Sequence, residues 1–156
     1  MTSLRRVALV LFVFALAIPQ FGQQPAPAES PQSPSGSAFS DQDATNVLND
    51  IRDGLEAHSQ RLMLSAFDSA KMDGYLTFED QIQAYFEHYE SFRVHFRTIQ
   101  TTSEGEKGIV LAEFEIEGSP RGGGPMMRRT NQIRFELERG KKGWKIIDLR
   151  PRAFFA

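Results

Sequence analysis

The side chains of this chain that could do chemistry gather near its end. In the run from Gly143 to Arg150, Asp148 and Arg150 continue the alternation begun by Trp144 and Ile146. Alternate residues of an extended strand share a face, so this spacing predicts an acid and a base at the far end of an apolar face. The preceding run, residues 126 to 138, puts Arg129 and Asn131 on the same parity as Met127, Ile133, Phe135 and Leu137. A few polar groups on an apolar face are what orient a small ligand in a cavity, and Asp148 is then the weak candidate for a catalytic acid or base. The plainer arrangement of the same residues is an Asp–Arg ion pair that closes the mouth of the fold. A one-residue slip at a bulge would instead turn them to solvent. Tyr75 and Tyr89 join the candidate ligand-binding set because both sit at element ends, where a hydroxyl can reach an interior; Tyr85, at helical spacing, reads as core.

Other chemistries find little support. His58, His88 and His95 stand in no zinc-ligand pattern, so neither a metal site nor a cofactor is expected. The glycine-rich loop over residues 118–125 joins strand to strand and lacks both the following helix and the Lys-Ser/Thr pair of a phosphate-binding loop. No Gly-x-Ser-x-Gly elbow is present.

Positioning these residues requires a sheet and something to cover it. Two β runs meet at the turn over residues 140–143, and before them residues 92–98 and 109–117 alternate in the same period-2 manner. Ile99, Leu111, Ile147 and Leu149 fall on the outer parity, a face that could serve a partner or a second copy. Upstream, Ser40 to Asp43 has capping-box spacing, and Ala44, Val47, Leu48, Ile51 and Leu55 follow at helical intervals, predicting a helix over residues 41–58 with a short second one over 60–67. After a turn ending in Asp73-Gly74, Thr77 to Asp80 repeats the capping-box spacing. Phe78, Ile82, Tyr85, Phe86 and Tyr89 then trace an amphipathic helix. Three helices followed by consecutive hairpin-linked strands predict an α+β fold, with the helices packed on one face of a curved antiparallel sheet of four to six strands.

Residues 1–22 carry Arg5 and Arg6, then an apolar run from Val7 to Ile18, with no acidic residue before Glu29. That is the layout of a secretory signal peptide. It predicts an exported chain, periplasmic or secreted, with no stable membrane span after cleavage and an uncleaved anchor as the alternative. Residues 23–39, rich in Pro, Gln and Ser, read as a disordered linker, and residues 40–156 as the folded domain. The chain has no cysteine, so its fold stands without disulfides. Without the two signal arginines, 18 − 2 = 16 basic residues face 20 acidic ones, a formal charge of −4. Such a balance argues against a nucleic-acid partner.

The domain resembles the nuclear transport factor 2-like (NTF2-like) superfamily, which includes SnoaL-like cyclases and ketosteroid isomerase-like proteins. The resemblance is carried by the initial helix with residues 62–68, the Asp73-Gly74-Tyr75 turn, the helix from Phe78 to Tyr89 running directly into a strand, and the closing Gly143-Trp144-Lys145-Ile146-Ile147-Asp148-Leu149. It implies a cone-shaped interior and frequent pairing into homodimers through the sheet. The family hosts enzymes, ligand binders and interaction domains alike, and the reading of this chain is a non-catalytic binding or interaction module for a small, partly apolar ligand. The alternatives are an enzyme of the isomerase or cyclase type using Asp148, or a structural dimerisation domain.

Overall fold

The computed structural model describes residues 38–155. The expected signal peptide and nearly all of the expected linker lie outside the described residues. Helix α1 (Asp41–Glu56) opens on the anticipated capping box. The Ser40 hydroxyl accepts from the Asp43 N–H, and the Asp43 carboxylate accepts from the Ser40 N–H. The apolar stripe read from the sequence is the buried one, Ala44, Val47, Leu48, Ile51 and Leu55. Gly54 interrupts that stripe for a packing reason: a Cβ there would lie 2.4 Å from the Met63 amide nitrogen. The short helix α2 (Gln60–Leu64) therefore crosses α1 backbone against backbone.

Helix α3 (Tyr75–His88) starts three residues earlier than its expected capping box implies. Its N-cap is Gly74 in the left-handed region (φ 66°), with no side-chain cap, so Thr77 lies inside the first turn. Glycine takes this conformation without the Cβ penalty of other residues, which lets the Asp-Gly turn feed straight into the helix. Phe78, Ile82, Tyr85 and Phe86 form its buried face.

Four strands follow, β1 (Tyr89–Glu104), β2 (Lys107–Pro120), β3 (Met127–Gly140) and β4 (Gly143–Arg150), in a single antiparallel sheet of order β1-β2-β3-β4. Strand β2 shows the cleanest alternation, with Val110, Ala112, Phe114 and Ile116 fully buried. Its other face carries Glu113, Glu115 and Glu117, which pair with Arg97, Arg128 and Arg93 from the neighbouring strands.

Both sheet edges are covered. On β1 the Val94 N–H donates to the Glu56 carboxylate of α1 at 2.9 Å. On β4 the Ile146 N–H donates to the Ala66 carbonyl and the Ile146 carbonyl accepts from the Asp68 N–H. Unpaired edge groups are templates for misassembly, and here the helical layer satisfies part of them.

The core extends past the expected amino-terminal limit of the domain. Phe39, assigned by sequence to the linker, is buried, with its ring edge-on to Trp144 at 4.7 Å and against Gly108. At the other end a 3-10 turn, Arg152–Phe155, buries Phe154 and Phe155. Phe154 packs on Phe114, the ring at the centre of the inner face.

Candidate functional site

The last strand departs from simple alternation. Glu136 pairs with Asp148 but Leu137 pairs with Ile146, so Ile147 is the extra residue of a β-bulge. A bulge shifts parity by one. Leu149, expected on the outer face, is fully buried, while Asp148 lines up beside Glu136 and Arg150 beside Arg134 on the outer side. The expectation that Asp148 and Arg150 continue the apolar face of Trp144 and Ile146 is thus corrected.

Asp148 is also fully engaged. Its Oδ2 accepts from Arg150 Nε at 3.0 Å, and its Oδ1 accepts from Arg152 Nη2 at 2.7 Å and Nε at 3.2 Å. Arg152 continues to the Asp73 carbonyl at 2.6 Å, tying the end of β4 to the turn before α3. Burial alone would raise the Asp148 pKa, but the hydrogen bonds from Arg152 and Arg150 outweigh it and hold the carboxyl below its ordinary value. None of the four cavities described below is lined by Asp148. A carboxylate held by two guanidiniums and lining none of these four cavities is placed as a brace and not as a free acid or base. Arg152 was missed in the sequence, although its position four residues after Asp148 was visible there.

The remaining candidates divide among separate places. Tyr75 and Tyr89 stand at opposite ends of α3, about 20 Å apart at a rise of about 1.5 Å per residue, and they do not share a cavity. Tyr75 lines a volume of about 500 Å³ with Gln60, Arg61, Leu64, Ser65, Phe67, Ser69 and Glu79. Burial, with help from the Glu79 charge, raises its pKa. Asn131 faces the inner side opposite buried Phe114, yet it is exposed.

Tyr89 and Arg129 do come together, in a cavity of about 370 Å³ completed by Gln81, Ala84, Tyr85 and His88. Four of these residues, 81, 84, 85 and 88, form one flank of α3 at helical spacing. Arg129 lies opposite Ile116 in the β2–β3 register and so points to the inner face. Its guanidinium donates to the Phe154 carbonyl at 3.1 Å and sits 5.8 Å from the centre of the Tyr85 ring.

Tyr85 is 4% exposed, and its hydroxyl has no hydrogen-bond partner among the described residues. Burial pushes its pKa far above the ordinary tyrosine range, Arg129 offsetting only part of the effect, so it stays a protonated donor. Its ring stacks on Phe92 and meets Tyr89 edge-on. The assignment of Tyr85 to core alone thus overlooked its polar end. The signal available in sequence was its type: among the buried residues of α3 it is the one with a hydroxyl.

A buried donor left unsatisfied costs about 1–3 kcal/mol. His58 Nδ1, Thr101 and Trp144 are also buried without a partner among the described residues; Thr101 and Trp144 line none of the four cavities, and His58 lines one of about 670 Å³. No group of His, Asp and Glu suited to a metal occurs among the described residues.

Solved structures share this architecture. An NTF2-like superfamily protein from Salmonella enterica serovar Typhimurium superposes with a TM-score of 0.62 at 10% identity, over 69% of this chain and 86% of that one. The fold is that of the NTF2-like proteins. A ketosteroid isomerase-like protein from Erwinia carotovora atroseptica matches at a TM-score of 0.57 and 11% identity, over 71% of this chain and 95% of that one. A hexachlorocyclohexane dehydrochlorinase matches at 0.51 and 14%, over 70% and 86%. No family model and no curated protein matches the sequence. Identities this low carry the NTF2-like fold and leave function to the site itself.

Proposed function

We propose that this chain is an exported, non-catalytic binding module of NTF2-like fold, whose ligand is a small, partly apolar molecule carrying a hydrogen-bond acceptor. The observation that carries this reading is the buried Tyr85 hydroxyl without a partner, on a residue that lines a cavity of about 370 Å³. A ligand acceptor that reaches this hydroxyl would satisfy in the complex a donor that the free protein leaves unpaired. The Tyr85 and Tyr89 rings and Ala84 supply apolar contact, while Arg129, His88 and Gln81 supply the polar groups that orient a ligand. The apolar amino-terminal run with its two arginines supports export.

The non-catalytic reading rests on proton chemistry. No carboxylate lines this cavity, and Asp148, the acid on which an isomerase-type reaction would depend, is held elsewhere by Arg150 and Arg152. The test is a thermal-shift and calorimetric screen of the folded domain against steroids, lipids and aromatic acids, repeated with Tyr85→Phe. A ligand is expected whose affinity falls about tenfold in Tyr85→Phe, the loss of one well-made hydrogen bond. Ligands that bind equally well to both proteins would remove Tyr85 from the site and overturn the reading. Turnover of any bound compound that survives Tyr85→Phe but not Asp148→Asn would instead restore the enzyme.

A further inference from the structure

A second cavity, of about 670 Å³, lies along the other flank of α3, lined by His58, Gln60, Gln83, Phe86, Glu87 and Arg121. At roughly 100° per residue, residues 83, 86 and 87 fall on the side of the buried face away from the Tyr85 cavity. The volume carries one fixed cation, Arg121, and one fixed anion, Glu87, with two amides and the wall of Phe86.

Neither charge takes part in an ion pair among the described residues. On the outer sheet face, by contrast, Arg93, Arg97 and Arg128 all reach a glutamate. Arg121 and Glu87 line one volume and still do not meet, so space is left between opposite charges.

Both are held in place by neutral partners. The Arg121 guanidinium donates to His58 Nε2 at 3.0 Å, and its backbone N–H donates to the His88 carbonyl at 2.9 Å. The Glu87 carboxylate accepts from the Gln83 amide at 2.9 Å. His58 is itself constrained, its backbone in the left-handed region (φ 50°) and its ring in contact with both Phe86 and Phe92. For a non-glycine residue that conformation is disfavoured, and it is met here at the residue that faces Arg121.

From this arrangement we propose that the cavity binds a small zwitterion of the amino-acid type, its carboxylate on Arg121, its ammonium on Glu87 and an apolar side chain against Phe86. A simple anion would gain Arg121 but be repelled by Glu87, and a simple cation the reverse. Only a molecule with both ends is matched by both.

The experiment uses the full chain and L-leucine as probe, with 4-methylpentanoate and isoamylamine as its two half-charged analogues, followed by amide chemical shifts and calorimetry. Saturable leucine binding is expected, centred on Gln83, Glu87 and Arg121, with each analogue at least about tenfold weaker. Arg121→Ala and Glu87→Gln, both at exposed positions, should each lower leucine affinity about tenfold while leaving the unfolding midpoint in place, and Tyr85→Phe should leave leucine binding unchanged. The proposal is overturned if leucine gives no saturable shift at millimolar concentration. It is equally overturned if 4-methylpentanoate binds as tightly as leucine, or if either charge variant retains full affinity.

Discussion

The two polar regions of this domain differ in how far the protein itself satisfies them. Around Asp148, the acceptor oxygens are engaged by Arg150 and Arg152, and Arg152 also donates through Nη1 to the Asp73 carbonyl. Around Tyr85, a buried donor is left without a protein partner on a residue that lines a cavity. The first region has the residue types that suggest chemistry but the geometry of a brace between β4 and the α3 turn. The second has unremarkable residue types and the geometry of a site. A closed hydrogen-bond network contributes to stability, and an open one implies a partner from outside.

The largest expected effect probes the wall beside the Tyr85 cavity. Phe154 packs on Phe114 and gives its carbonyl to Arg129, so Phe154→Ala should cost about 3–5 kcal/mol in denaturant unfolding. Unchanged stability would mean that the carboxy-terminal turn does not support the cavity, and the contrast between the two regions would blur.

Asp148→Asn should destabilise by about 1–2 kcal/mol, because two guanidiniums lose a charged acceptor but keep some access to water. The accompanying pH dependence has a definite sign. The folded-state pKa lies below the unfolded value near 3.8, so the stability due to Asp148 is complete above that value and is lost as pH falls through the lower folded one. Acid titration of unfolding should therefore show a smaller decline below pH 4 in Asp148→Asn than in the parent. Equal acid sensitivity would mean that Asp148 is no brace.

Tyr85→Phe should move stability the other way, unchanged or raised by up to about 1 kcal/mol, since an unsatisfied hydroxyl leaves the interior. Its measured destabilisation by more than that would show the hydroxyl to be satisfied in the free protein and would sink the comparison. The smallest effect belongs to the outer face. Arg97 is 73% exposed in its pair with Glu113, and Arg97→Ala should change stability by less than about 0.5 kcal/mol.

Much of the fold was legible because it rests on local rules. The α1 capping box and its stripe of Ala44, Val47, Leu48, Ile51 and Leu55 appear as read, and so do the alternation of β2 and the amphipathic face of α3. Thr77 misled because a capping-box spacing inside a helix looks the same as one at its start. What separates them is the left-handed Gly74, which depends on how the preceding turn packs.

The candidate site was legible only in pieces. Tyr89 and Arg129 meet in one cavity because β3 lies two strands from β1 and the Ile116–Arg129 pairing sets Arg129 facing inward. Tyr75 went elsewhere because the whole length of α3, Tyr75–His88, lies between it and Tyr89. His58 and Arg121, 63 residues apart, are joined by tertiary contact alone.

By itself the sequence determined the α+β class, the order of helices and strands and the inward residues of the regular elements, since period and capping are local properties. The tertiary structure decided the two facts on which function turns. A single extra residue at Ile147 rotated Asp148 away from the face of Trp144 and Ile146, and strand alternation cannot reveal a bulge whose cause is pairing with the neighbour. Packing of α3 between the inner sheet face and its own flanks left the Tyr85 hydroxyl unpartnered, because whether a buried group is satisfied depends on everything that surrounds it.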